Sequence, residues 1–314
     1  MRAPRALIPL FAVCGAAAVV AVAGAGAAIE GLPDVGSAHA DGVRAVPGAT
    51  ITATTWNVCA DALAGCPLGA APAELGKRIP QRMRGIEVGG RKVDATAVFL
   101  QEVCSGHVNV LKNVPSMRGW TWAFAPSGGS CTDGQGRLGV ALGTRAPMTG
   151  VRHVRLPAPA RHERVAVCGD VARWHARVCA TQLSAPRWDD DPIGDWRAKQ
   201  VKRLTGELAG AERAILGGDL GERPESPSLD PLYQAYGECD QGPGPARTGS
   251  GTLQNARGQA VEKTDYLFAS KSAGVSCGVP ERADTASDHR PLTAVIRFRR
   301  PAEPITDQPA NPSR

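Results

Sequence analysis

A chain of 314 residues with 36 Lys and Arg against 30 Asp and Glu carries a formal charge of +6, which mildly favours an anionic partner. Aromatics make up only 4% of the residues and no dense Lys/Arg run is interleaved with them, so charge alone is no nucleic-acid signature. Nine cysteines, eight of them beyond Cys14 and with no C-x-x-C spacing, disfavour a zinc or thioredoxin-type redox motif.

In chain order, residues 1–40 read as a secretory signal. Arg2 and Arg5 precede an apolar run from Ala6 to Ala28, and Ser37-Ala38-His39-Ala40 supplies an A-x-A cleavage pattern before Asp41. The expected mature protein is therefore extracellular. The Gly- and Ala-broken run and the lack of a second span argue against a retained membrane anchor. Val13 makes Cys14 a poor lipidation site. The remainder suits one domain over 41–300 followed by a disordered tail, 301–314.

In an exported chain the eight remaining cysteines imply four disulfides. Cys168 and Cys179 flank an expected hairpin. Pairing of sequence neighbours is the expectation: Cys59 with Cys66, Cys104 with Cys131, Cys168 with Cys179, and Cys239 with Cys277.

From Thr50 onward the chain gives short β-rich runs: TITATTWNV, ATAVFLQEV, TWAFAP, LGVALGT, RVAVCGDV, HARVCATQL, RAILGGDL, TDYLFAS and PLTAVIRF. One helix is expected between Ala73 and Gly85, interrupted by Pro80. A second follows Asp191, with Pro192 in its first turn and a buried stripe of Trp196, Gln200/Val201, Leu204 and Leu208. Many strands with few helices predict two sheets face to face with helices outside.

Polar residues recur at strand ends where pleat periodicity alone would not place them: Asn57, Glu102, Asp219, Asp265, and Asp288 with His289. Each could merely close a turn or cap a helix, but the ordered set is a functional signal. By contrast, His107, His153, His162 and His175 read as surface residues, and Trp56 reads as core.

The motifs Thr55-Trp56-Asn57, Gln101-Glu102, Thr181-Gln182-Leu183-Ser184-Ala185-Pro186, Gly218-Asp219-Leu220-Gly221, Asp265-Tyr266 and Ser287-Asp288-His289-Arg290-Pro291 carry a resemblance to a known family. In this order they resemble the endonuclease/exonuclease/phosphatase superfamily, over residues from about 50 to 298. The resemblance implies a deoxyribonuclease I-like four-layer α/β sandwich of two mostly antiparallel sheets. It also implies hydrolysis of a phosphate ester, most plausibly a nucleic-acid phosphodiester, by in-line attack of water with Mg²⁺, or else Mn²⁺ or Ca²⁺, and a monomeric enzyme.

Carried over by resemblance, Glu102 ligates the metal with Asn57 beside it, and Asp219 orients or activates the attacking water. Asp288 fixes the imidazole tautomer of His289, which serves as base or phosphate-binding cation, while Asp265 holds the His289 side of the site.

Two positions depart from the family pattern. Gln182 stands where histidine is common, and it can bind a phosphate oxygen but cannot act as a general acid. Gly221 stands where asparagine is expected, leaving Arg223 as the nearby candidate for a phosphate contact. A non-catalytic or impaired binding protein on the same scaffold is one alternative. A phospholipid or phosphate-monoester hydrolase is the other.

Overall fold

The computed structural model describes residues 47–60, 66–69, 71–186, 189–242 and 246–299. The expected signal and tail lie outside them. In chain order the elements are β1 (Ala49–Asn57), α1 (Pro72–Arg82), β2 (Ile86–Val88), β3 (Arg91–Val93), β4 (Ala97–Cys104), α2 (Ser105–Asn113), β5 (Thr121–Ser130), β6 (Arg137–Thr144), β7 (Thr149–Leu156), β8 (Arg164–Val171) and β9 (Ala176–Gln182). They continue with α3 (Asp195–Leu208), β10 (Arg213–Asp219), α4 (Asp230–Ala235), β11 (Tyr236–Glu238), β12 (Leu253–Gln254), β13 (Ala260–Glu262), β14 (Asp265–Ser270), β15 (Ala273–Gly278) and β16 (Leu292–Phe298).

Two six-stranded sheets, β15-β16-β1-β4-β6-β5 and β11-β14-β10-β9-β8-β7, make the body of the protein. Each contains one parallel pair, β1 with β4 and β9 with β10, among antiparallel neighbours. This is the expected four-layer sandwich. Alternate residues of a strand face opposite sides, and the three apolar clusters follow that alternation. Ile51, Ala53, Phe99, Val178, Ala180, Ile215 and Leu267 meet between the sheets. Trp56, Val98 and Leu100 face α1 and α2 on one outer side, while Cys179, Leu216, Tyr266 and Phe268 lie on the other, with α3 and α4.

The strands missed by sequence reading are edges or short pieces. β7 pairs with β8 alone and presents Thr149, Gly150, Val151, His153 and Arg155 to solvent, so its apolar signal is thin. β15 is half-buried at the other sheet's edge. The β2–β3 hairpin and β11–β13 are at most three residues each, too short for a period to register.

The first helix runs from Pro72 to Arg82 with Pro80 inside it, so the expected interruption there does not occur. The second begins at Asp195, later than expected, so Pro192 lies outside its first turn. Asp191 caps it from outside by accepting the backbone N–H groups of Trp196 and Arg197, each at 3.1 Å. Arg197, not Trp196, occupies the head of the buried stripe. Its guanidinium is neutralised by Asp191 at 3.3 Å and Glu222 at 2.5 Å, which is why so polar a residue is tolerated there. His107 is another correction: it is buried, with its ring Nε2 3.0 Å from the Pro72 carbonyl, and burial lowers its pKa.

All four cysteine pairs form disulfides as expected. Cys168 and Cys179 are directly opposed in the β8–β9 register. Cys239 follows β11 in one sheet and Cys277 lies on β15 in the other, so their bond ties the two sheets together. Among the described residues no helix is long and apolar enough to cross a membrane.

The sheets pack tightly at Gly217, where an added Cβ would fall 2.5 Å from Cγ of the fully buried Phe99 on the facing sheet. Gly217→Ala should therefore destabilise the fold by about 1–3 kcal/mol through overpacking. Adding Phe99→Leu should recover part of that loss, and a double-mutant cycle by urea denaturation reads the coupling directly.

Candidate active site

Strand parity builds most of the site. Asn57 continues the inward series Ile51 and Ala53, Gln182 continues Val178 and Ala180, Asp219 continues Ile215 and Gly217, and Asp265 precedes Leu267 and Ala269. Register then aligns three of them across one sheet: Asp219 pairs with Gln182 on β9 and with Asp265 on β14. Asn57 faces them from the opposite sheet, where it pairs with Gln101.

Glu102 has the wrong parity, since Val98 and Leu100 face outward. A β-bulge corrects it. Leu100 pairs with Ala141 and Val103 with Gly139, so Gln101 and Glu102 together oppose a single residue. Glu102 adopts φ +49°, a left-handed conformation costly for a residue with a Cβ. That strain is localised where the carboxylate is turned into the site. Flanking disulfides hold the region: Cys59–Cys66 just beyond Asn57, and Cys104–Cys131 just beyond Glu102.

Asn57 joins the two halves. Its Nδ2 donates to Glu102 Oε1 and to Asp219 Oδ2, both at 3.0 Å, while its Oδ1 accepts the Cys59 N–H. Gln182 Nε2 donates to the same Glu102 oxygen at 2.7 Å. Gly221 N–H donates to Asp219 Oδ1 at 3.0 Å.

On the other side, His289 Nδ1 lies 2.8 Å from Asp265 Oδ2, leaving Nε2 as the ring's free nitrogen. The tautomer-fixing contact expected of Asp288 is thus made by Asp265; Asp288 is exposed, and its carboxylate lies 3.4 Å from the Ser287 hydroxyl. Ser287 and Trp56 are supports that the sequence reading did not assign. Ser287 Oγ donates to the Asn57 carbonyl and accepts the His289 N–H, and Trp56 Nε1 donates to the His289 carbonyl. Trp56 is core, as expected, and Ser287 lay within the quoted Ser-Asp-His motif.

Arg223 does not turn to a phosphate position: it is an exposed partner of Glu262 at 2.6 Å. His153, His162 and His175 are exposed, and His175 sits at the start of β9, the far end from Gln182.

Electrostatics mark the centre as short of positive charge. Burial, with added repulsion from Asp265 and Glu102, raises the Asp219 pKa to about 6 despite the nearby His289 and the Asn57 hydrogen bond. Burial works against a charged His289, but Asp265, Asp219 and Asp288 outweigh it and raise the ring to about 10. At neutral pH His289 is therefore an imidazolium, a donor rather than a base. Asp265 Oδ1 is buried without a hydrogen-bond partner.

Crowded carboxylates and an orphaned oxygen fit a hard divalent cation, which prefers oxygen ligands and tolerates few of them from protein. Ligand atoms of Asp219, Asp265 and His289 lie within 4.8 Å of one another; Asp265 Oδ2 is engaged by His289 while its Oδ1 is open. The carboxylates of Glu102 and Asp219 add oxygens on the other side, with the Asn57 amide nitrogen between them and its oxygen taken by the Cys59 N–H. The Cys59–Cys66–Glu102 grouping is no metal site, because both sulfurs are spent in a disulfide.

Comparison with known proteins gives the family and the fold. The model of the Endonuclease/Exonuclease/phosphatase family matches residues 54–289, and the chain belongs to that family. The catalytic domain of human Nocturnin with bound sulfate superposes with a TM-score of 0.59 at 18% identity, covering 79% of this chain and 93% of that one. A family protein from Bacteroides thetaiotaomicron gives 0.58 at 16% identity over 80% and 96%. The mannosyl-6-phosphatase Bt3783 of Bacteroides thetaiotaomicron VPI-5482 gives 0.56 at 14% over 79% and 100%. A search of curated protein sequences finds no match.

The bulge makes a prediction. Glu102→Ala and Glu102→Gly both remove the carboxylate, but only glycine relieves the left-handed backbone. In metal-free buffer the glycine variant should be more stable than the alanine variant by about 1 kcal/mol, read from denaturant midpoints.

Proposed function

We propose that the protein is an exported, divalent-metal-dependent phosphodiesterase that hydrolyses nucleic-acid phosphodiesters, with Mg²⁺ as the preferred ion. The observation that carries the reading is the convergence of Glu102, Asn57 and Asp219 from two sheets beside the Asp265–His289 pair. Export is supported by the leader-like residues 1–40 and by the four disulfides.

Glu102 and Asp219, with Asn57 beside them, would hold the cation, which when bound polarises a phosphoryl oxygen as a Lewis acid. Asp219, ionised and fixed through both oxygens, orients the attacking water. His289, charged and held at Nδ1 by Asp265, presents Nε2–H to a phosphoryl oxygen as charge develops there. Gln182 cannot supply a proton, so protonation of a poor leaving group falls to other groups. That disadvantage favours substrates with better leaving groups.

The Gly221 departure is structural as much as chemical. Its φ of +59° is one asparagine tolerates, but an added Cβ would come 3.0 Å from the Ser184 carbonyl. That carbonyl is fixed by the buried Arg197 at 3.2 Å, so it yields little. Gly221→Asn should cost about 1 kcal/mol of stability and give no large gain in turnover.

Three measurements test the reading. EDTA-sensitive hydrolysis of bis(p-nitrophenyl) phosphate and of DNA or RNA is expected, with Asp219→Ala and His289→Ala each losing about 10²-fold or more in kcat. Mg²⁺ should raise the melting temperature of metal-free protein, and Glu102→Gln should abolish that rise. Because Asp219 must lose its proton to serve the cation, metal affinity should strengthen as pH rises through about 6, and calorimetry should record proton release. A metal-induced stabilisation without turnover on any phosphoester would instead make the chain a binding protein on this scaffold.

A further inference from the structure

A cleft of about 1110 Å³ opens directly off the metal-side residues: Glu102 and Gln182 form part of its wall. The rest comes from the adjoining ends of β5 and β6, from the end of β7 through the turn into β8, and from Ala185 and Asp189 after β9. Arg137, Arg155, Arg161 and Arg164 line it.

These arginines differ in what they are free to do. Arg164 is spent on Asp189, with two hydrogen bonds of 2.6 and 2.8 Å, and His162 lies 3.0 Å from the same carboxylate. Burial opposes ionisation of Asp189, but Arg164 prevails and holds its pKa below the ordinary range, so this pair is structural cement between the start of β8 and the connection from β9 to α3. Arg137 is positioned by the carbonyls of Gly128 and Gly129 at 3.2 and 3.3 Å, and these do not cancel its charge. Arg155 and Arg161 are exposed and have no carboxylate partner among the described residues. Against these three stands one glutamate on the wall outside the reactive centre, Glu163.

The cleft is thus a positively charged extension of the reactive centre. Among the described residues its wall carries arginines and no Trp, Tyr or Phe. Arginine forks bind phosphate oxygens well whatever base is attached.

We propose that Arg137, Arg155 and Arg161 bind the phosphates flanking the scissile bond, so that the substrate is a polynucleotide strand held through its backbone rather than its bases. The inference rests on the phosphodiesterase reading above and deepens it. A substrate with a single phosphate gains nothing from this cleft.

The test pairs an Arg155→Ala/Arg161→Ala variant, both residues exposed and outside the reactive centre, with two substrates. One is bis(p-nitrophenyl) phosphate. The other is a labelled oligonucleotide of about 12 nucleotides, within the span that single-strand grooves cover. Expected is a fall of about 10-fold or more in kcat/KM for the oligonucleotide, mainly through KM, with hydrolysis of bis(p-nitrophenyl) phosphate unchanged. The slope of log kcat/KM against log salt should flatten by about 0.7 per lost phosphate contact. Arg155→Lys/Arg161→Lys should keep most of the activity, since a point charge still reaches phosphate.

Equal losses on both substrates, or no loss on either, would overturn the proposal. So would an unchanged oligonucleotide rate alongside weakened binding of inositol hexakisphosphate, which would assign the cleft to a small polyanion. If wild-type protein hydrolyses neither substrate with Mg²⁺ or Mn²⁺, the phosphodiesterase reading fails. Fluorescence anisotropy with the same oligonucleotide then decides the cleft separately: binding that the double alanine variant loses supports it, and binding that is absent or unaffected refutes it.

Discussion

The amide of Asn57 is the constraint on which the site depends. One nitrogen donates at 3.0 Å to Glu102 in its own sheet and to Asp219 in the facing sheet, so the separation of the two carboxylates is set by the spacing of the sandwich itself. A hydrophobic core fixes that spacing, with Phe99 pressed against Gly217 two residues before Asp219. Two anionic groups buried this close would repel without a donor between them. The amide relieves part of that repulsion; the Asp219 pKa nevertheless stays raised, chiefly by burial, with repulsion from Asp265 and Glu102 added. A divalent cation is the natural counterpart of that residue of charge.

The site is therefore a property of pleat parity more than of loops. Asn57, Gln182, Asp219 and Asp265 each extend an inward-facing apolar series by one step beyond the core, where the two sheets still face each other but no longer touch through carbon. Glu102 alone breaks the pattern and needs a bulge with a left-handed backbone to join them. The protein carries strain at one residue in exchange for a carboxylate that regular strand geometry would have sent to the outer face.

This also explains which parts were legible in the sequence. β1, β4, β9, β10 and β14 could be read as β-rich runs bounded by polar residues, and with them the site residues at their ends, whereas the bulge that turns Glu102 inward could not. What stayed hidden has physical causes. The exposed edge strand β7 carries a weak apolar signal, and its Arg155 contributes to a cleft that no local pattern announces. The role exchanged between Asp288 and Asp265 depends on which carboxylate the turn before β16 points at the ring. Sequence adjacency favours Asp288, yet the His289 backbone is held by Ser287 and Trp56 so that the ring faces β14.

The two departures from the family pattern then take on different weights. Gly221 is accommodated by its surroundings: its amide holds Asp219, its left-handed φ suits it, and the Ser184 carbonyl leaves little room for a side chain. Arg197, which fixes that carbonyl, also pairs with Glu222, the residue after Gly221, so the glycine is embedded in a buried ionic network. Such a network has adapted to the glycine, and a single reversion meets all of it. Gln182 is different, for its amide simply bridges Glu102 and Asp219 at 2.7 and 3.5 Å and takes up space that no packed carbonyl defends. Neutral where a histidine could be cationic, it shifts the burden of charge onto His289 on one side and onto the arginines of the adjoining cleft on the other. On the proposed reading, with Gln182 in place of a proton donor and exposed arginines along the adjoining cleft, the site draws more on holding a polyanionic substrate than on assisting its leaving group.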